Sequence, residues 1–164
     1  MRSILTCLLL LIITYIQAQL PKMENNRLVL DNPVTFKTGS NELTDEGKEA
    51  LRQVKDFLAA KEYITLLRVE GHNDNSGNEH DNQKMTEQRA MAVCRWLVAN
   101  GIDCKRLIAT GFGSTKPVES NDTPAGKAGN RRMVFAVAAL KGKMIGGMPA
   151  EGGGLVAGDP CAND

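Results

Sequence analysis

Two segments decide the fold of this chain: Gly71-His72-Asn73-Asp74-Asn75-Ser76-Gly77 and Asn82-Gln83-Lys84-Met85-Thr86-Glu87-Gln88-Arg89-Ala90. The apolar run Leu66 to Glu70 precedes the first segment and predicts a buried strand. The second segment leads into a helix that Gly101 ends, because apolar residues recur there at helical spacing: Ala90, Val93, Cys94, Leu97 and Val98. A polar loop over 72–84 is therefore expected to join a strand to a helix.

Upstream of these segments, the sequence predicts one strand and one helix. The strand covers Arg27 to Phe36 and is broken at Pro33. Thr44 is a suitable N-cap, and two acidic residues follow it in the first turn, where negative charge is favourable. A helix over 44–60 is predicted, because apolar residues then keep the helical period: Ala50, Leu51, Val54 and Leu58.

Downstream, Leu107 to Phe112 and Met133 to Leu140 predict two further strands, separated by a loop rich in Pro, Gly, Asn and Thr. The element order is therefore β-α-β-α-β-β. This order is typical of an α+β sandwich with two helices packed on one face of a mixed four-stranded sheet. No helix links the last two strands, so one of them is expected to join the sheet antiparallel.

The two ends of the chain differ from its middle. Arg2 precedes a mostly apolar run, Ile4 to Ile16, which is shorter than the ~20 residues of a membrane span. We therefore expect a signal peptide over 1–18, with an uncleaved anchor as the alternative, a short lead over 19–26 and one domain over 27–140. The segment 141–164 is rich in glycine and has no apolar period, which predicts a flexible tail.

The composition of the chain excludes several classes of partner. It carries 20 basic and 19 acidic side chains, and loss of Arg2 with the signal peptide brings the two into balance. A balanced charge gives no electrostatic footprint for nucleic acid or for an anionic membrane. Aromatic residues make up only 4% of the chain, which also argues against base stacking. No membrane span is expected after the signal peptide is removed.

Asp74 and Arg89 are the charged residues that the two segments bring together. Asp74 lies just beyond the C-terminal end of a strand, and Arg89 is expected in the first turn of the next helix, with Thr86 as its cap. A cation in a first turn is unfavourable unless an anion lies nearby. A ligand with an ammonium and a carboxylate on one carbon would satisfy both side chains. The alternative is a structural ion pair between Asp74 and Arg89.

Four motifs, in order, resemble the OmpA-like C-terminal domain, the peptidoglycan-associating module of Gram-negative bacteria. Gly71 to Gly77 is similar to that family's Gly-His-Thr-Asp-x-x-Gly, with Asn73 in place of Thr. Asn82 to Ala90 is similar to Asn-x-x-Leu-Ser-x-x-Arg-Ala, with Met for Leu and Thr for Ser. Two shorter motifs complete the match: Gly111-Phe112-Gly113 through Pro117, and Asn130-Arg131-Arg132.

The resemblance spans roughly Leu28 to Leu140 and implies a ligand. In the family, the aspartate and the arginine of the first two motifs hold diaminopimelate in the stem peptide of peptidoglycan. Lys37 departs from the acid that some members have at its position. The ligand-binding residues that the resemblance implies here are Asp74, Arg89, Asn82 and Arg131.

The chain is therefore predicted to be a non-enzymatic module that tethers the cell envelope to the wall by non-covalent binding of peptidoglycan. It is expected in the periplasm, or on the periplasmic face of the outer membrane, of a Gram-negative bacterium. The alternative is a metal-assisted wall hydrolase that uses His72, His80 and Asp74. The spacing of these residues matches neither a zinc nor a calcium template, so no metal and no cofactor is expected. A third reading is a structural protein whose tail docks on an envelope protein partner.

Three cysteines remain after the signal peptide is removed, and an odd number leaves at least one of them without an internal partner. The chain reverses at Gly101, which brings Cys104 back towards Cys94. A Cys94–Cys104 disulfide is therefore predicted in an oxidising compartment, with Cys161 as an exposed thiol in the tail. The alternative is that Cys94 is a small, reduced residue of the core.

Overall fold

The computed structural model describes residues 20–146 and 153–162, and the predicted signal peptide over 1–18 lies outside them. This part of the chain contains seven strands: β1 (Lys22–Glu24), β2 (Arg27–Val29), β3 (Ile64–Gly71), β4 (Leu107–Gly111), β5 (Met133–Leu140), β6 (Lys143–Met144) and β7 (Leu155–Val156). It also contains three α-helices: α1 (Asp45–Ala60), α2 (Glu79–Ala99) and α3 (Pro124–Asn130). A 3₁₀ turn over Cys104–Arg106 leads into β4.

The described strands form one mixed sheet. Their order is β1-β2-β5-β3-β4-β7, and β6 pairs with β5 as the second arm of a hairpin. β3 and β4 run parallel, whereas β5 pairs antiparallel with β3. The predicted α+β class, the mixed sheet and the antiparallel last strand are therefore confirmed. The sheet has more strands than the predicted four. The structure also contains a third, short helix, α3, in addition to the two predicted ones.

The hydrophobic core lies between the sheet and the two long helices. Side chains alternate along β3, so that Leu67 and Val69 are fully buried in the core while Arg68 and Glu70 point to the other face of the sheet. Burial of one such aliphatic side chain contributes about 1.5–3 kcal/mol to the free energy of unfolding. Among the described residues, no helix combines the length and the apolar character needed to cross a membrane.

Helix α1 begins and packs as the sequence predicts. Thr44 is its N-cap, and the Thr44 hydroxyl accepts a hydrogen bond from the Gly47 amide at 3.0 Å. This contact satisfies one of the amides that have no partner within the helix. The buried residues of the helix include the predicted apolar stripe, namely Ala50, Leu51, Val54 and Leu58.

The first predicted strand, Arg27 to Phe36, is much shorter in the structure. β2 ends at Val29, before Pro33, which has no amide hydrogen to donate to a neighbouring strand. β1 was not predicted from the sequence and pairs with β2 through a tight turn. Asn25 and Asn26 form that turn with positive φ angles, a conformation that asparagine tolerates better than most residues.

Helix α2 begins at Glu79, about two turns earlier than the sequence predicts. Asn78 is the N-cap, and its side chain accepts hydrogen bonds from two amides of the first turn. Thr86 is therefore a buried residue inside the helix and not its cap. The expected position of Arg89 in the first turn is wrong, because Arg89 lies roughly three turns into the helix. The helix dipole consequently has no part in its environment.

Helix α2 crosses the C-terminal ends of β3 and β4 at very close range. Gly71 and Gly111 are paired neighbours in these strands. A Cβ atom at Gly111 would lie 2.6 Å from Cγ of Glu87, and one at Gly71 would overlap the carbonyl oxygen of Thr86. The Thr86 hydroxyl also accepts a hydrogen bond from the Gly113 amide at 3.0 Å. The two strand-end glycines are therefore required by the packing of the helix.

The segment 141–164, predicted as a flexible tail, is folded in its described parts. β6 pairs with β5, and β7 pairs antiparallel with the edge of β4. The Ala157 amide also donates to the carbonyl oxygen of Ala109 at 3.0 Å, and Gly154 packs directly on the ring of Phe112. Because an open edge strand presents unpaired backbone groups, β7 protects the edge of β4.

Cys104 and Cys161 form a disulfide, so the predicted Cys94–Cys104 bridge is wrong. The Cα atoms of Cys104 and Cys161 are 5.1 Å apart, within the range that a disulfide requires. Cys94 is a free thiol, fully buried in the core, and its burial raises its pKa to about 12. The unpaired cysteine therefore lies inside the protein, and Cys161 holds the end of the tail against the domain.

We expect a thiol reagent to label the protein only after denaturation, because Cys94 is buried and its pKa is raised. For a chain beginning at Gln19, one thiol should react in denaturant without reductant, and peptide mass spectrometry should locate the label on Cys94. A Cys94→Ala variant should give no label under the same conditions. A label on Cys161 would contradict the observed bridge.

Candidate functional site

A surface cleft of about 610 Å³ opens between segment 33–39, helix α2 and the C-terminal end of α3. Arg89 of α2 and Arg131, which follows α3, both line this cleft, and we call it the arginine cleft. Phe36 and Lys37 belong to its wall on the side of β2. Two guanidinium groups from distant parts of the sequence therefore face the same space.

Arg89 is held in the cleft by segment 33–40. Its Nε donates a hydrogen bond to the carbonyl oxygen of Ser40 at 3.0 Å, and its guanidinium lies 5.0 Å from the centre of the Phe36 ring. Partial burial lowers the pKa of Arg89, and the nearby charge of Arg131 lowers it further. Among the described residues, no carboxylate pairs with Arg89. A fixed, half-buried cation without a counter-ion is suited to an anionic ligand.

Asp74 lies behind the cleft and pairs with Arg131, not with Arg89. Its side chain is 5% exposed; Oδ2 accepts a hydrogen bond from Nη1 of Arg131 at 2.5 Å, and Oδ1 accepts one from the Ser76 amide at 2.7 Å. Burial opposes ionisation of this carboxyl, but the hydrogen bonds from Arg131 and Ser76 outweigh it and lower the pKa. Asp74 is therefore a carboxylate at neutral pH, and the predicted alternative of an Asp74–Arg89 ion pair does not form.

Asn82 shapes the loop that carries Asp74. Its buried side-chain amide donates to the carbonyl oxygens of Asp74, at 3.3 Å, and Ser76, at 2.9 Å. Its Oδ1 accepts a hydrogen bond from the side chain of Asn73 at 2.7 Å. These contacts are possible because the helix α2 begins at Glu79, which places Asn82 in its first turn. The residue thus fixes the backbone around Asp74 from within the protein.

Asn130 fixes the second loop of the site. Its side chain is fully buried, and its Oδ1 accepts hydrogen bonds from the amides of Val118 and Glu119 at 2.8 and 3.0 Å. Its side-chain amide donates to the carbonyl oxygen of Glu119 at 2.9 Å. Arg131 is the next residue in the chain, so this anchored loop and the end of α3 together set the position from which its side chain extends.

The structure brings together only part of the set implied by the sequence. Arg89 and Arg131 line the cleft, Asp74 contacts Arg131 from behind, and Asn82 supports the loop. Phe36, whose ring lies against Arg89, was not among the expected site residues. The available signal in the sequence is that Phe36 directly precedes Lys37, the position where some members of the family have an acid. Lys37 itself forms an ion pair with Glu42 at the rim.

The residues of the suggested metal site lie apart. His72 contacts Glu70 on the face of the sheet opposite the helices, Asp74 pairs with Arg131, and His80 lies at the start of α2. Within residues 20–146 and 153–162, no cluster of His, Cys, Asp and Glu side chains could hold a metal ion. The arginine cleft itself offers cations and hydrogen-bond donors, which are groups that bind an anion.

Comparison of the chain with known proteins places it in a family. Residues 35–131 match the model of the OmpA family. The probable lipoprotein YiaD of Escherichia coli K12 is 36% identical over 118 residues, which are 71% of this chain and 53% of that protein. The peptidoglycan-binding protein ArfA of Mycobacterium tuberculosis H37Rv is 35% identical over 109 residues, which are 66% of this chain and 33% of that protein.

A solved structure shows the same likeness in three dimensions. The cell wall anchor of the T6SS from Pseudomonas aeruginosa superimposes with a TM-score of 0.57 and 31% identity, over 63% of this chain and 74% of that one. The chain spans about half the length of its E. coli relative and a third of its mycobacterial relative. The match to the family model covers more than half of the sequence, including Asp74 and Arg131. The chain belongs to the OmpA family.

Proposed function

We propose that this protein binds peptidoglycan non-covalently, by recognising the diaminopimelate of the stem peptide. The observation that carries the proposal is the arginine cleft, where Arg89 has no carboxylate partner among the described residues and faces the same space as Arg131. Such a cleft suits a ligand carboxylate, because guanidinium groups bind carboxylates at two points.

The side-chain end of diaminopimelate carries an ammonium and a carboxylate on one carbon. In the proposed complex, Arg89 binds the carboxylate and Asp74 accepts hydrogen bonds from the ammonium. A carboxylate has about four lone-pair sites, so Asp74 can accept from the ligand and keep the Ser76 amide. The Arg131 side chain is 46% exposed, which leaves it free to turn from Asp74 towards the ligand carboxylate.

The relatives support the wall as the target. ArfA is named as a peptidoglycan-binding protein, and the Pseudomonas aeruginosa protein is described as a cell wall anchor. The OmpA family consists of non-enzymatic binding and structural proteins, which argues against the wall hydrolase alternative. The chemistry of the cleft agrees with binding, because its charged groups are cations.

We further propose that the protein is exported and tethers the envelope of a Gram-negative bacterium to its wall. The Cys104–Cys161 disulfide supports export, because such bonds persist in oxidising compartments. Relatives from the outer membrane, such as the outer membrane protein A of Bordetella avium, support a place in the envelope. An envelope protein that contacts the tail would be a second partner.

We expect Arg89→Gln and Asp74→Asn each to weaken binding to purified sacculi by roughly ten- to a hundredfold, the effect of one lost charge-assisted contact. A pull-down with sacculi from a wall that contains diaminopimelate measures this. Arg52→Gln is the matched control, because Arg52 is an exposed arginine of α1 paired only with Glu49 among described residues. If both site variants fold and bind like the control, the proposed site is wrong.

Arg89→Lys is also expected to weaken binding, by about tenfold. Lysine keeps the positive charge but lacks the planar fork, and it cannot reproduce both the hydrogen bond to Ser40 and a two-point contact with a carboxylate. Titration of the folded variant with soluble stem peptide gives the affinity. Wild-type affinity would show that Arg89 acts only as a point charge.

A soluble stem peptide that contains diaminopimelate should compete with sacculi for the protein, whereas the same peptide with lysine at that position should not. Within a peptide the α-amino and α-carboxyl groups of lysine are in amide bonds, so its side chain offers an ammonium but no carboxylate for Arg89. The experiment is a pull-down with increasing concentrations of either peptide at constant ionic strength. Equal competition by the two would contradict diaminopimelate recognition, even if binding to the wall itself is confirmed.

A further inference from the structure

A second pocket lies on the face of the sheet that the helices leave uncovered. Its volume is about 370 Å³, and we call it the sheet-face pocket. Its charged lining residues are Arg27, Arg68, Glu70, Lys116 and Arg132. It shares no lining residue with the arginine cleft, and the consecutive residues Arg131 and Arg132 line one pocket each.

Strand register explains why the cations converge here. Arg27 of β2 and Arg68 of β3 are both paired with Ala136 of β5, so the three side chains form one row on the same face of the sheet. The small Ala136 side chain leaves space between two long arginines. Arg132 reaches the rim of this space, where its Nη2 donates to the carbonyl oxygen of Lys116 at 3.0 Å.

The sheet-face pocket carries an excess of positive charge. Glu70 is its only carboxylate among the described lining residues, is 3% exposed, and accepts a hydrogen bond from Nε of Arg68 at 2.6 Å. Arg27, Lys116 and Arg132 remain without a carboxylate of their own in the described structure. Burial lowers the pKa of Arg132 and the nearby charge of Arg27 lowers it further, while the Glu70 carboxylate acts in the opposite direction.

His72 is buried beside Glu70 at the same place. The ring is 5% exposed, stacks on Phe112 with 5.0 Å between ring centres, and has Nε2 3.3 Å from Oε2 of Glu70. With Nε2 donating to that carboxylate, Nδ1 is left as an acceptor, and it has no partner among the described residues. The buried ring therefore holds the Glu70 carboxylate at the base of the pocket and adds no charge of its own there.

We propose that the sheet-face pocket binds a phosphate group. A phosphate offers anionic oxygens to the surrounding guanidinium and ammonium groups. The site is separate from the proposed diaminopimelate site. It gives the domain a second ligand on the opposite face of the sheet, supplied as a soluble phosphate or as a lipid phosphate.

The test is titration of the purified protein with inorganic phosphate at neutral pH and fixed ionic strength, followed by NMR or calorimetry. Arg27→Gln should weaken binding by roughly tenfold, because it removes one charge-assisted contact. Arg27 is exposed on the short strand β2, between β1 and β5, so the fold should survive. Lys116→Gln is a second variant with the same expectation, and Arg52→Gln on α1 is the control for net charge.

The charge-matched control Arg52→Gln separates a built site from general attraction of anions. Equal losses in Arg27→Gln and Arg52→Gln, or no phosphate binding at all, would each overturn the proposal. Binding to sacculi should not change in Arg27→Gln, which keeps this test independent of the arginine cleft.

Two arms identify the source of the phosphate. One uses inorganic phosphate alone, and the other uses phosphatidylcholine vesicles with and without phosphatidic acid. Binding to the phosphatidic acid vesicles that Arg27→Gln abolishes assigns the pocket to a lipid headgroup. Binding of inorganic phosphate without vesicle binding assigns it to a soluble ligand, and failure of both arms overturns the site.

Discussion

The close contact of helix α2 with the ends of β3 and β4 is the constraint on which the site depends. It requires a residue without a side chain at both Gly71 and Gly111, and it places Thr86 directly over them. Asp74 lies in the loop directly after Gly71, and Arg89 lies about one helical turn after Thr86. The contact therefore fixes the backbone positions from which both candidate site residues, Asp74 and Arg89, extend.

Local signals in the sequence were sufficient for most of the fold. Helix α1 has an N-cap and an apolar stripe, and both can be read from neighbouring residues. Helix α2 has an N-cap, Asn78, but its first half has no apolar stripe, since the residues it buries there are the polar Asn82 and Thr86. Periodicity therefore predicts too late a start, and the expected role of the helix dipole at Arg89 is wrong for the same reason. The motif residues still led to the candidate site, where Arg89 and Arg131 line the cleft and Asp74 contacts Arg131.

Long-range pairings were beyond the reach of sequence reasoning. The turn at Gly101 does return the chain, but Cys94 points into the core and Cys104 lies outside it, in the 3₁₀ turn before β4. Its true partner, Cys161, lies in a segment with little apolar character. In the same way, Asp74 pairs with Arg131 and not with Arg89, because the end of α3 brings Arg131 beside the loop. Helix α3 was absent from the predicted elements.

The hold of segment 33–40 on Arg89 has a mechanical consequence. This segment follows β2, at the N-terminal side of the sheet, while β4 and β7 lie at the other edge. If the proposed ligand is bound, tension between it and the N-terminal strands can pass from Arg89 to this segment through the Ser40 and Phe36 contacts. This direct route does not include the edge strand β7 or the disulfide. A pull on the proposed ligand would then reach the N-terminal strands through a few contacts of one side chain.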